Sequence, residues 1–127
     1  MKVGEYVRTE QGIIAQCYKY EATTYFFNKC LYKEYGDYVN YIRRTELKNI
    51  IKKSSPNIVD LIEYGDIVKY KIDDEEFISE VWGEKNDYFV QNFDVPIDLK
   101  DLNITSIVTK EQFEAMKYES KRWKTKI

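Results

Sequence analysis

Apolar and polar positions alternate along most of the chain, the period of a pleated strand with one covered face. Glu5 to Thr9 alternates briefly, and Ile13 to Tyr20 resumes the pattern after Glu10-Gln11-Gly12. That triplet reads as a tight turn with Gly12 at positive φ, so the two stretches predict a hairpin. Thr23 to Phe27 predicts a further strand. Leu31 to Tyr35 and Tyr38 to Arg43 predict a second hairpin around Gly36-Asp37. The period changes at Thr45. Leu47, Ile50 and Ile51 fall at helical spacing, which predicts one or two helical turns capped by Thr45. Ser54-Ser55-Pro56-Asn57 then reads as a connector.

After the connector the pattern restarts. Val3-Gly4-Glu5-Tyr6-Val7-Arg8 is matched by Tyr64-Gly65-Asp66-Ile67-Val68-Lys69. A turn and a return strand follow each: Ile13 to Cys17 in the first half, and Phe77 to Val81 after Asp73-Asp74-Glu75 in the second. Phe77 to Trp82 is expected to pair with Tyr88 to Phe93 across Gly83. The halves also end alike. Ile42 leads into Thr45-Glu46-Leu47, and Ile104 to Val108 leads into Thr109-Lys110-Glu111-Gln112. Thr109 with Gln112 three positions on is a capping box, and Phe113 and Met116 share the face of the helix it starts. A glycine at the head of each half lets the chain bend into its first strand, and the acid after it can accept backbone N–H groups there.

The reading is an all-β, β-rich chain with short helical turns. It comprises tandem SH3-like small barrels from an internal duplication of about 60 residues. Residues 1–58 form the first unit, and residues 59–127 form the second unit with a basic C-terminal tail. Val7 and Val68, and Ile14 and Ile78, are expected at equivalent inward positions. A single irregular antiparallel sandwich is the competing architecture.

Composition narrows the chemistry. The chain has 127 residues, enough for one domain or two very small ones. Aromatic residues make up 16%, with 12 tyrosines and 6 phenylalanines, which argues against disorder. No apolar run approaches the roughly 18 residues of a membrane span. The polar start, Met1 to Gly12, does not read as a secretory signal, so a cytoplasmic location is expected. There is no histidine, which removes the commonest general base and metal ligand. No phosphate-binding glycine loop, dinucleotide fingerprint or nucleophile elbow is present. No carboxylate is singled out by an apolar setting. The chain therefore reads as a non-enzyme with no cofactor and no metal. Cys17 and Cys30 are too few for a zinc site and read as reduced, buried, small hydrophobes. Asp73-Asp74-Glu75-Glu76 lacks the spacing and the glycine of a calcium loop.

The formal net charge of −2 hides a segregation. Asp73 to Asp101 holds ten acids against two bases, a net of −8; Arg43 to Lys53 and Lys117 to Lys126 each hold five bases against one acid, +4 apiece. The acids Asp73, Asp74, Glu75, Glu76, Glu84 and Asp87 suggest a negative surface that competes with a phosphate backbone for a basic groove. Solvated hairpin tips are the plainer reading. Tyr25, Tyr32, Tyr35 and Tyr38, in a tyrosine-crowded first half, suggest an aromatic contact surface. Arg43, Arg44, Lys52 and Lys53, with Lys121-Arg122-Trp123-Lys124, have the composition of a stacking-plus-phosphate contact with nucleic acid.

Three segments resemble a group of small proteins from phages, plasmids and integrated elements of Gram-positive bacteria. They are Met1 to Thr9 with Gly12 to Ala15, Ser55 to Asp66, and Ile104 to Met116. The group's second unit more often reads Gly-Asp-Tyr-Val-Asn-Gly, against Gly65-Asp66-Ile67-Val68-Lys69-Tyr70 here. No functional residues carry over from it. The resemblance implies a mobile-element protein acting inside a host cell. By association with small acidic phage proteins, it also implies an inhibitor of a host defence nuclease, of the anti-CRISPR type. A protein partner, such as a nucleic-acid-processing enzyme, and no membrane are expected. Nucleic acid is the alternative ligand.

Overall fold

The structure, a computed structural model, describes residues 1–34, 37–84 and 87–116, with the backbone alone at 33, 34, 37 and 38. It is mostly β, and the chain divides into two compact units, Met1–Leu61 and Ile62–Ile127.

In the first unit β1 (Tyr6–Thr9) pairs antiparallel with β2 (Ile14–Glu21), placing Val7 opposite Ala15. β3 (Thr24–Phe27) returns along β2 through a two-residue turn, Ala22-Thr23. β4 (Tyr32–Glu34) and β5 (Asp37–Val39) pair antiparallel in a small two-stranded sheet of their own. β6 (Tyr41–Arg43) joins β3. A 3-10 turn (Arg44–Glu46) and a short helix α1 (Leu47–Ile50) lead into β7 (Ile51–Ser55), which pairs with the free edge of β1. The strand order is β6-β3-β2-β1-β7.

β7 overturns the connector reading of Ser54-Ser55. The sequence Ile51-Lys52-Lys53-Ser54-Ser55 is too polar to announce a strand. The unpaired N–H and C=O groups along β1 recruit it. Thr45 caps nothing: the residues flanking both helical segments make no side-chain cap hydrogen bond, because Thr45 lies inside the 3-10 turn. The core is Val7, Ala15, Cys17, Tyr25, Phe27, Leu31 and Ile42. Arg8 is also fully buried, and its Nη1 donates to Leu61 O at 3.0 Å. Leu61 ends a second 3-10 turn, Ile58–Leu61.

In the second unit β8 (Ile67–Ile72) and β9 (Glu75–Glu80) form a hairpin around Asp73-Asp74, and β13 (Asn103–Val108) pairs with the other edge of β8. β10 (Trp82–Glu84), β11 (Asp87–Asn92) and β12 (Val95–Asp98) make a second three-stranded sheet. A 3-10 turn, Leu99–Asp101, precedes β13, and helix α2 (110–116) follows it. Ile62, Val68, Tyr70, Val81, Val90 and Leu99 are buried. The expected pairing of Phe77 to Trp82 across Gly83 is only partly realised. The strand breaks at buried Val81, β9 stays with β8, and of that stretch Trp82 alone pairs with β11, opposite Phe89, while Gly83 lies inside β10 opposite Tyr88. The described strands form open sheets and close no barrel in either unit.

The two strand entries have the same backbone geometry. Gly4 has φ +95° and Gly65 φ +90°, values that favour glycine. Gly4 N donates to Cys17 O (2.8 Å) and Gly65 N to Val81 O (3.0 Å). In return, Cys17 N donates to Glu5 O (2.9 Å) and Val81 N to Asp66 O (2.8 Å). Glu5 N reaches Lys2 O, and Asp66 N reaches Glu63 O, both at 3.1 Å. Val7 and Val68 are both fully buried. Ile14 opposes Arg8 as Ile78 opposes Lys69, so their registers correspond. Their burial differs: Ile14 is half-buried opposite buried Arg8, while Ile78 is 68% exposed and does not point inward, because Phe77 and Ser79 share the inner face of β9 with their partners Tyr70 and Val68.

Candidate functional site

The six acids singled out in the sequence, Asp73, Asp74, Glu75, Glu76, Glu84 and Asp87, are all exposed. Asp73 and Asp74 form the β8–β9 turn with φ +49° and +67°, which aspartate tolerates better than most residues. Glu75 and Glu76 open β9 and are exposed; Glu76 sits 3.5 Å from Lys69 Nζ. Glu84 closes β10 and faces Asp87 at the start of β11. The two groups therefore lie at opposite ends of the β9–β10 run, and the structure does not gather them at one point.

The residue that sequence reasoning missed is Phe93. With Asp94 it forms the two-residue turn between β11 and β12, at φ +50° and +70°, and its ring is 84% exposed. It stands edge-on to Phe77 (6.2 Å), which stacks on buried Tyr70 (5.7 Å). Phe77 directly follows Glu76 on β9. The turn thus brings an exposed aromatic ring, Asp94 and exposed Val95 beside the acidic β8–β9 hairpin. No turn signal marks Asn92-Phe93-Asp94-Val95, since such turns favour Asn-Gly and a phenylalanine reads as strand.

The tyrosine surface is corrected. Tyr25 is in the core, because residues 25 and 27 take the inner face of β3, and its ring packs 4.4 Å from Tyr20. Tyr32 is half-buried against the same core. Tyr35 and the Tyr38 side chain lie outside the described residues. Cys30 is likewise corrected: it is exposed, whereas Cys17 is buried, and neither is in a disulfide.

Among the bases, Arg43, Arg44 and Lys52 are exposed, while Lys53 is half-buried opposite Arg8. Lys52 and Lys53 point to opposite faces of β7, so the four do not share one surface. Arg43 does share a face with Tyr41, Phe26 and Lys19. Lys19 Nζ lies 5.4 Å from the Phe26 ring centre and 2.7 Å from Glu21, and Phe26 packs 6.3 Å from Tyr41. That ion pair holds the Lys19 ammonium above its ordinary pKa and the Glu21 carboxyl below its own. Lys121, Arg122, Trp123 and Lys124 lie outside the described residues.

A polar knot joins the entry of β8 to α2. Asp66 is fully buried; its Oδ2 accepts from Glu63 N (2.8 Å) and its Oδ1 from Lys110 N (2.9 Å). Lys110 Nζ reaches Glu63 Oε1 (3.1 Å) and Tyr64 O (3.4 Å). The capping box forms: Gln112 N donates to Thr109 Oγ1 (3.4 Å) and Thr109 N to Gln112 Oε1 (3.3 Å). Beside the knot an open groove of about 590 Å³ is lined by Gly65, Ile67, Ile78, Lys110 and Phe113, among others. Among the described residues no group of three or more His, Cys, Asp or Glu is placed to hold a metal ion. No helix among them is long and apolar enough to cross a membrane. The chain matches no protein-family model, no curated protein and no solved structure.

Proposed function

We propose that this is a non-catalytic protein-binding module that presents the acidic β8–β9 end of its second unit to a basic groove on its partner. A host defence nuclease that binds nucleic acid offers such a groove, and the resemblance to mobile-element proteins makes an inhibitor of that kind the working identity. The observation that carries the reading is the exposure of Asp73, Asp74, Glu75 and Glu76 together at one end of a hairpin, where they outnumber the two lysines of β8 beside them, Lys69 and Lys71. Long-range attraction raises the encounter rate with a basic partner. We further propose that the two units are tandem SH3-like units descended from one duplicated sequence. The matched hydrogen bonds at Gly4 and Gly65 support this, as does the 3-10 turn before the last strand in both. The test is a fourfold charge reversal, Asp73→Lys, Asp74→Lys, Glu75→Lys and Glu76→Lys. It is expected to leave folding intact and to slow association with a captured partner at low salt. An unchanged rate at low salt assigns these acids to solubility alone.

A second reading, nucleic-acid binding by the first unit, is favoured by the outer face carrying Lys19, Phe26, Tyr41 and Arg43. A phosphate binder loses affinity steeply as salt rises, with a DNA or RNA oligonucleotide alone as ligand. Absence of oligonucleotide binding at low salt removes this reading.

A further inference from the structure

Two features of Phe93 run against stability. An apolar ring is 84% exposed, and its backbone sits at φ +50°, where a side chain with a Cβ is strained. Asparagine or glycine would relieve both. Isolated exposed hydrophobes are common, but a strained and exposed aromatic at a hairpin tip is an outlier of the kind that clusters at binding sites. Its surroundings have the anatomy of an interface anchor. Val95, 58% exposed, extends the apolar surface, and Phe77 braces the ring from below. Asp94, its partner in the turn, is exposed beside it, and Phe77 belongs to the hairpin whose exposed turn is Asp73-Asp74. An aromatic anchor ringed by polar groups is where binding energy concentrates in protein interfaces.

We infer that Phe93 is the anchor of this surface. Its occupant is a protein surface with an apolar socket bordered by lysine and arginine side chains. The acids select the cationic border, and the ring fills the socket. The inference rests on the protein-binding reading above and deepens it, since a purely electrostatic contact needs no ring.

The experiment uses the full chain and two fluorescent twelve-residue peptides of equal charge, one alternating arginine with leucine, the other arginine with serine. Anisotropy titrations compare the wild type, Phe93→Ala, Phe93→Asn and the fourfold charge reversal. Phe93→Asn suits the turn and guards against a misfolded control, so its urea midpoint is measured alongside. The expected result is tighter binding of the leucine peptide by the wild type. Both Phe93 variants lose about tenfold or more of that affinity, while the serine peptide is unaffected by either. If charge reversal weakens both peptides and neither Phe93 variant weakens either, the acidic reading stands and the anchor is overturned. If no variant alters binding, both fall. If sedimentation shows a wild-type dimer that Phe93→Asn dissociates, the socket belongs to a second copy of this chain and the inference is overturned in that form.

Discussion

Replacing Asp66 tests whether the knot at the β8 entry holds the second unit together. Its carboxylate is fully buried and accepts two backbone N–H groups, from Glu63 at 2.8 Å and Lys110 at 2.9 Å. Hydrogen bonds to a charged acceptor contribute about 1.5–3 kcal/mol each, and a buried donor left without its acceptor keeps its desolvation cost. Asp66→Ala is therefore expected to cost about 3–6 kcal/mol, a large share of the roughly 5–15 kcal/mol that holds a small protein folded. Asp66→Asn keeps one oxygen and turns an amide N–H₂ toward the other donor, so about half that cost is expected. Glu5 holds the matching position in the first unit, half-buried and with no side-chain hydrogen bond among the described residues. Glu5→Ala is expected to cost under about 1 kcal/mol. The assay for Asp66 is urea unfolding followed by Trp82 fluorescence, since that ring packs edge-on against Tyr64 at 5.7 Å and reports the second unit, and Glu5→Ala is followed by far-ultraviolet circular dichroism, which reads both units. A Trp123→Phe background removes the other indole. A cost for Asp66→Ala below about 1 kcal/mol, or equal to that of Glu5→Ala, refutes the reasoning.

Three further outcomes are expected. Burial raises the pKa of Tyr70 above the ordinary value of about 10, so the unfolded chain loses that proton first. Its contribution to stability is complete below pH 10 and declines as pH rises through the folded-state pKa; alkaline unfolding of Tyr70→Phe should lack that part of the decline. Asp74→Gly relieves a positive φ in a turn that favours Asp-Gly, and should raise stability by about 0.5–1 kcal/mol in the same urea assay. Chelator should leave the thermal midpoint unchanged, and a drop of several degrees would reveal folding energy linked to a metal.

Local rules read from the chain succeeded where neighbours in sequence decide the structure. The Thr109–Gln112 capping box and the turn ending at Gly12 (φ +82°) need only a few consecutive residues. Asp66 accepting Glu63 N is the same kind of local event. Its reach to Lys110, 44 positions away, is not, and nothing in the sequence announces it. β7 was illegible for a related reason: its strand state comes from the open edge of β1, not from Lys52-Lys53-Ser54-Ser55. Tyr25 and Ile78 show that alternation tells which residues share a face but not which face is covered. Phe93 escaped because its placement breaks the turn preferences on which such reading depends.

Each unit also sets its own kinetic problem, since its first strand must find its last. Tyr6 meets Ser55 and Ile67 meets Val108, closing stretches of 49 and 41 residues. Loop-closure entropy grows so slowly with length that the two costs differ by only about 0.2 kcal/mol. The two-residue hairpins nucleate in microseconds, so end-to-end closure is the slow event in both units. Local pairing shortens both effective loops before they close, through the β4–β5 sheet in the first unit and the β10-β11-β12 sheet in the second.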